Sequence, residues 1–444
     1  MRIVIPTTGS RGDVQPYVAL GMALQARGHR VRLASHANFE DFVRDHGLDF
    51  FPIEGDARAL QSSEVGDRML RSGGNAFAFL REFARLRVPL MADLMAGCQH
   101  AAEDADVLFL TNTELALGLS VAEKLELPVC LAALQPAAPT RHFANFLMPD
   151  VPDWLPDGGA YNLLSHAIVG EYFWQQMRSA VNEARRDVLD LPPLPFLGPF
   201  PRFLWSAPCL YGFSAHVVPH PSDWGANQHL TGYWFLDDGA NWQPPPKLVD
   251  FLESGPPPVY VGFGSMHNRD ADEVTELVVA ALTRAGQRGV LFTGWNGLRS
   301  VDHSDRICPI DSAPHDWLFP RMAAVVHHGG AGTTAAALRA GVPALVVPFM
   351  SDQPFWARRV SALGAGPEPL PRKQLTVERL AHGIRMAATD PGIRRRAKVL
   401  GGLIQVEDGA NRAAELIERH QSTFYRLPAP HFPTYTRFRQ TAAM

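Results

Sequence analysis

Short, unbroken apolar runs punctuate this chain, each followed by a glycine-bearing turn and then by a longer segment with helical spacing. The first unit is a run at Arg2–Pro6, the turn TTGSRGD, a helical segment Val14–Gly28 and a second run at Arg30–Ala34. A matching unit opens the second half: Val259–Phe263, the turn Gly264-Ser265-Met266, a helix from about Asp270 to Ala285, and a run at Gly289–Phe292. Val325 and Val326 end another run. Gly329, Gly330 and Gly332 form its turn, Thr333 and Thr334 open an alanine-rich helix, and Ala344–Val347 follows as a further strand. Runs that are apolar at every position suit strands buried on both faces. Strands alternating with helices predict an α/β architecture of parallel sheets with helices on both faces, in two Rossmann-like domains.

Between the two halves, residues 237–258 read DDGANWQPPPKLVDFLESGPPP, where glycine and two proline triplets frame one short helix. This is the predicted linker. The expected organisation is a first domain over 1–236, the linker over 237–258, a second domain over 259–420 and an irregular Pro- and Arg-rich tail over 421–444.

A length of 444 residues suits two large domains. With 46% hydrophobic and 19% charged residues the chain is an ordinary globular protein, which excludes a disordered one. A net charge of -4 gives no general electrostatic reason for a nucleic-acid partner. No apolar run approaches the ~18–20 residues of a membrane span. Pro6 and the polar turn after it cut the N-terminal run before a signal-peptide core could form. A soluble, cytoplasmic protein with at most peripheral membrane contact is expected. Cys98, Cys130, Cys209 and Cys308 lie far apart, without disulfide-framework or metal-ligand spacing.

Residues 60–225 differ in texture, with long segments rich in Phe, Trp, Met and Pro such as AFAFLREFARLRVPLMADLM at 76–95. Aromatics at helical spacing are first of all core packing. A lipophilic pocket is the second reading, with Phe77, Phe79 and Trp154 as candidate wall residues.

The richest segment is HHGGAGTTAAALRAGVPALVVPFMSDQPFW, from His327 to Trp356. A strand end, a glycine turn and a helix start in that order make an anion site, because free N–H groups at a helix N-terminus attract phosphate. Asp352 and Gln353 add a carboxylate and an amide, a pair suited to sugar hydroxyls. By strand alternation His327 points to the face opposite His328, and it reads as structural.

The segment resembles the donor-binding motif of the family 1 glycosyltransferases, through His328, Gly330, Gly332, Thr333, Gly341, Pro343, Pro348, Asp352 and Gln353 in register. The resemblance implies the GT-B fold, two Rossmann-like domains facing across a cleft, and a nucleotide-activated sugar as donor. FFPIEGD at 50–56, APHDWLFP at 313–320 and VVPFMSDQPFWARRV at 346–360 are similar to the sterol-glucosyltransferase branch and its bacterial natural-product relatives. The tail over 421–444 is then expected to cross back to the first domain.

Carried over by this resemblance, His328 with the Gly332 and Thr333 N–H groups and the Thr333 hydroxyl holds the diphosphate. Ser10, Arg11, Gly12 and Ser265 lie at the loops meeting it, and Asp352 and Gln353 hold the sugar. Trp295 stands beside the nucleotide or packs in the wall, and Ala313 offers a backbone contact where the plant members have a tryptophan before Ala-Pro-Gln. Asp13, in the SRGD turn, occupies the place of the plant members' catalytic histidine and is the candidate base. It is also a candidate helix cap, and a carboxylate is a weak base unless burial raises its pKa. The second carboxylate of the plant dyad has no counterpart at the corresponding position, which is Asn112.

The resemblance implies inverting hexosyl transfer, most simply of glucose from UDP-glucose, with small-molecule substrates and no resident cofactor or metal. Both Asp-Ala-Asp triplets, 104–106 and 270–272, read as surface caps. A sterol or triterpenoid, a macrocyclic polyketide and a phenolic aglycone all fit an apolar pocket. A dTDP-deoxysugar donor, a nucleotide-sugar epimerase of the same fold, which needs no acceptor pocket, and a non-catalytic protein of that fold are the alternatives. An NAD-dependent oxidoreductase is excluded because TTGSRGD lacks the GxGxxG pattern.

Overall fold

The computed structural model describes residues 1–56, 63–152, 154–155, 158–198, 200–240, 242–264, 271–293, 298, 301–419 and 424–426. Twelve strands among them carry the architecture: β1 Arg2–Pro6, β2 Arg30–His36, β3 Asp49–Ile53, β4 Val107–Leu110, β5 Val129–Ala133, β6 Cys209–Tyr211, β7 Gln228–Leu230, β8 Val259–Gly262, β9 Gly289–Phe292, β10 Ile307–Ile310, β11 Ala324–His327 and β12 Ala344–Val346. They form two parallel sheets, one of seven strands in the order β3-β2-β1-β4-β5-β6-β7 and one of five in the order β10-β9-β8-β11-β12.

The apolar runs are strands for the reason given above. Ile3, Ile5, Leu108, Phe109, Val261, Val325 and Val326 are all buried, with helices covering both faces. In each sheet the order reverses once, at β1/β4 in the first and at β8/β11 in the second. Such sheets leave a crevice outside the carboxyl ends of the strands at the reversal. Four loops therefore define where chemistry belongs: those after β1, β4, β8 and β11.

The helix Pro246–Glu253 lies within the expected linker. On the linker's approach side, Arg339 pairs with Asp237 at 3.2 Å and lies 3.8 Å over the Phe235 ring.

The helix Gly409–Arg419 packs on the first helix, Arg11–Gln25, and buries Ala413, Ala414 and Ile417 in the core between that helix and the first sheet. Gly409 sits tightly against the backbone of Gly232 and Tyr233, where no side chain fits. The crossover thus begins before the tail. Farther on, Tyr425 exchanges backbone hydrogen bonds with Val129 at 2.9 and 3.1 Å. The four cysteines are free thiols and all are buried.

Candidate active site

The loop after β1 runs Thr7-Thr8-Gly9-Ser10 into the helix Arg11–Gln25. Ser10 is the helix N-cap and Asp13 its third residue, so the Asp13 carboxylate reaches back over the first turn. Its Oδ2 accepts the Ser10 N–H at 2.7 Å and the Ser10 hydroxyl at 2.9 Å. Gly9, at φ +134°, must be glycine because the Asp13 carboxylate fills the space a side chain would need. Burial pushes the Asp13 pKa up to about 6, against the two Ser10 hydrogen bonds, with the negative charges of Asp352 and Glu114 adding to the rise. Cap and candidate base are thus one group: the cap fixes the carboxylate and the cleft raises its pKa.

Beneath this loop lies a buried cluster. Arg87 donates to Glu114 Oε1 at 2.9 Å and Oε2 at 2.6 Å, and to the Thr8 hydroxyl at 2.8 Å, while that hydroxyl donates to Glu114. All three side chains are buried. Glu114 is a carboxylate near Asp13 that the sequence did not single out. It lies two residues beyond Asn112, and its bidentate ion pair with Arg87 ties it into the scaffold.

On the facing side, His328 follows β11. Its ring is wedged between Gly264 and Gly330, and a side chain at either glycine would collide with it. Burial pushes His328 down to about 4, which makes it a neutral imidazole, and its Nδ1 is buried without a protein partner among the described residues. His327 points the other way, fully buried, and its Nδ1 accepts the Gly329 N–H at 3.0 Å. Gly330 caps the helix Ala331–Arg339, whose first turn is held by the Thr334 hydroxyl donating to the Gly330 carbonyl at 2.9 Å. Gly332 is exposed in that turn, and a side chain there would meet no protein atom within 4 Å. The fold does not require a glycine at 332, whereas a ligand drawn close to the helix terminus would. Thr333 is half-buried beside it.

The remaining expected residues divide. Ala313 is half-buried in the loop after β10, and next to it His315 stacks on Phe319 at 4.3 Å. His315 is driven down to about 4 by burial, with the charge of Arg11 acting in the same direction. It is a cleft residue that the sequence reading had not assigned. Arg11 lies 4.5 Å over the Phe42 ring and donates to Gln15 at 2.8 Å and to Asp238 at 3.4 Å, so it is engaged outside the glycine turn. Gly12 is exposed. Ser265 and Trp295 lie outside the described residues.

Asp352 is the N-cap of the helix Gln353–Ala362, and burial raises its pKa. Its Oδ2 accepts the Trp356 indole N–H at 2.9 Å and the Gln135 amide at 3.0 Å. Gln353 is buried, and its side-chain carbonyl accepts the N–H groups of Phe349 and Met350 at 2.8 and 3.1 Å, shaping the turn before the helix.

Phe77 and Phe79 are half-buried on the helix Ala76–Arg87, which lies against the long helix Gly158–Asp187. Phe77 meets Tyr172 edge-on at 4.9 Å, Phe79 stacks on Phe83 at 6.0 Å, and Phe83 lies 5.9 Å from Phe173. Trp154 is 80% exposed. Asp104 and Asp106 pair with Arg2, and Asp104 also with Arg32, so ion pairing accounts for the first Asp-Ala-Asp triplet. Among the described residues no helix is long and apolar enough to cross a membrane.

The family model of the glycosyltransferase family 28 N-terminal domain matches residues 3–143, and that of the erythromycin biosynthesis protein CIII-like C-terminal domain matches residues 296–403. The chain is 38% identical over 427 residues to the sterol 3-beta-glucosyltransferase UGT80A2 of Arabidopsis thaliana, covering 95% of this chain and 66% of that protein. To UGT80B1, a sterol 3-beta-glucosyltransferase of the same plant, it is 36% identical over 438 residues, covering 96% and 69%. It spans about two thirds of the length of these relatives. The crystal structure of the Streptomyces sp. SF2575 glycosyltransferase SsfS6, complexed with thymidine diphosphate, superposes with a TM-score of 0.63 at 21% identity, over 94% of this chain and 99% of that one. That likeness carries the fold, which is GT-B.

Proposed function

We propose that this chain, which belongs to the sterol 3-beta-glucosyltransferase family, moves glucose from UDP-glucose to a hydroxyl of a lipophilic molecule, with inversion and with Asp13 as general base. The observation that carries the reading is the raised, capped carboxylate of Asp13 in a cleft that also holds Asp352 and His328.

Three tasks are distributed over these residues. The ionised Asp13 takes the proton of the attacking hydroxyl as its oxygen forms the bond to the anomeric carbon. The bond from that carbon to the UDP oxygen breaks on the opposite face, which gives a β-glycoside from an α-linked donor. The leaving diphosphate gains negative charge, which the first-turn N–H groups of Gly332 and Thr333 and the neutral His328 imidazole stabilise as fixed donors. Asp352 and Gln353 hold the sugar hydroxyls. Charge neutralisation thus comes from the helix terminus and histidine, so no resident cofactor or divalent ion is assigned a part. Four buried free thiols suit a reducing, cytoplasmic setting.

For the receiving molecule, the aromatic layer of Phe77, Tyr172, Phe79, Phe83 and Phe173 suits a flat apolar ring system. A mass-spectrometric assay of UDP-glucose, without added metal, against sterols, triterpenoids, macrolactones and phenols tests the reading. A hexose adduct on a sterol or another apolar alcohol supports it. Transfer only from a dTDP-deoxysugar, or UDP binding with no transfer to any compound, overturns it.

A further inference from the structure

The sugar-facing carboxylate is held from the opposite domain. Asp352 belongs to the second domain, yet Gln135, in the loop after β5 of the first, is a side-chain donor on its Oδ2. Gln135 is itself oriented: its Oε1 accepts the Asn112 amide at 3.1 Å, and Asn112 follows β4, the neighbouring strand in the sheet. The relay Asn112 to Gln135 to Asp352 has a direction. Turning the Gln135 amide over would set its oxygen against the carboxylate and its NH₂ against the Asn112 NH₂, which loses both bonds.

Another donor, the Trp356 indole, lies one helical turn beyond Asp352. The rest of that helix is anchored to the first domain independently. Arg358 donates to the Met148 carbonyl at 3.0 Å and pairs with Asp150 at 2.9 Å. Arg359 donates to the Val217 carbonyl at 2.7 and 2.9 Å, and Phe355 and Trp356 meet the rings of Phe143 and Phe213. Docking of the helix therefore does not depend on Gln135, and what Gln135 adds is the orientation of one half-buried carboxylate.

We infer that Gln135 is the positioning residue for sugar recognition, fixing Asp352 from the first domain so that the sugar is read only where the two domains meet. The inference rests on the reading that Asp352 holds sugar hydroxyls. Its consequence is a division of labour. The diphosphate is met by the helix terminus and His328 of the second domain, whereas the hexose is recognised by a carboxylate set jointly by both.

The test compares UDP with UDP-glucose in Gln135→Ala, Gln135→Leu, Asp352→Ala and the Gln135→Ala/Asp352→Ala double variant. Affinity for UDP is measured by calorimetry, and KM and kcat for UDP-glucose and UDP-galactose by transfer. The expected result in both Gln135 variants is unchanged UDP affinity and melting temperature. KM for UDP-glucose rises about tenfold, as for loss of one hydrogen bond to a charged group, and the preference between the two hexoses falls. Asp352→Ala gives at least the same rise, and adding Gln135→Ala to it changes nothing more. If Asp352→Ala raises KM while both Gln135 variants leave KM and hexose preference alone, the role given to Gln135 is wrong and the reading of Asp352 stands. If Asp352→Ala itself leaves KM unchanged, the reading of Asp352 fails and this inference with it. A parallel loss of UDP affinity and melting temperature in the Gln135 variants would make Gln135 a structural residue and also overturn the inference.

Discussion

Ser10 gives both its backbone N–H and its hydroxyl to a single oxygen of Asp13, at 2.7 and 2.9 Å, and thereby closes the first turn of the helix that follows β1. Two functions usually separated are joined in this pair. The same bonds that cap the helix hold the carboxylate that faces the cleft, so substitutions at Asp13 separate them. Asp13→Asn keeps an oxygen for the Ser10 N–H and is expected to unfold near the wild-type temperature. Asp13→Ala loses the cap and about 1 kcal/mol of stability. Denaturant unfolding of the two variants checks this; equal stability would show that the capping bond contributes nothing.

The pH dependence follows from the direction of the Asp13 shift. The carboxyl is held at about 6, so it is protonated and inactive below that pH and ionised above it. The expected kcat/KM profile rises through pH about 6 and is level on the alkaline side. Glu114→Gln removes a negative neighbour and leaves the positive charge of Arg87 unopposed, which favours ionised Asp13 and moves the rising limb to lower pH. Breaking this buried pair should also cost about 3–5 kcal/mol of stability. A limb that stays in place in Glu114→Gln would detach the cluster from Asp13.

Two glycines two positions apart should respond oppositely in stability. Gly332→Ala places its methyl group where no protein atom stands, so folding is unaffected or slightly strengthened by the higher helix propensity of alanine. Donor KM should nevertheless rise about tenfold or more, if the phosphates approach that backbone. Gly330→Ala drives its methyl group into the His328 ring and is expected to lower the melting temperature along with UDP affinity. Unchanged UDP-glucose binding in Gly332→Ala would move the phosphate site elsewhere.

Charge on the leaving diphosphate is assigned to a helix terminus and to His328. Transfer should therefore continue undiminished in excess chelator, while His328→Ala weakens UDP binding as well as turnover. Loss of activity on chelation, restored by magnesium or manganese, would contradict that assignment.

Local pattern carried much of this. The unbroken apolar runs gave strands, the glycine turns after β1 and β11 gave the two faces of the cleft, and strand alternation separated His327 from His328. What escaped was polar, aperiodic and paired at long range. Gln135 and Asp352 are 217 positions apart, and nothing about a glutamine in a loop announces a carboxylate in the other domain. Glu114 and Arg87 sit on different helices' ends and are individually ordinary; only folding makes them a buried pair. His315 lies in the APHDWLFP stretch, but its burial and its stacking on Phe319 needed coordinates. The packing of the helix Gly409–Arg419 on the first helix was not legible because its amphipathic spacing is the same whichever sheet it covers.

The most direct measurement is single-turnover transfer from UDP-glucose to the best apolar alcohol by wild type and Asp13→Asn, with UDP affinity measured on the same samples. The account predicts a fall in the transfer rate of about 10²–10⁴-fold, as for loss of a general base, with UDP affinity unchanged. A rate within a few-fold of wild type in Asp13→Asn would mean that Asp13 is only a helix cap and that another group takes the proton.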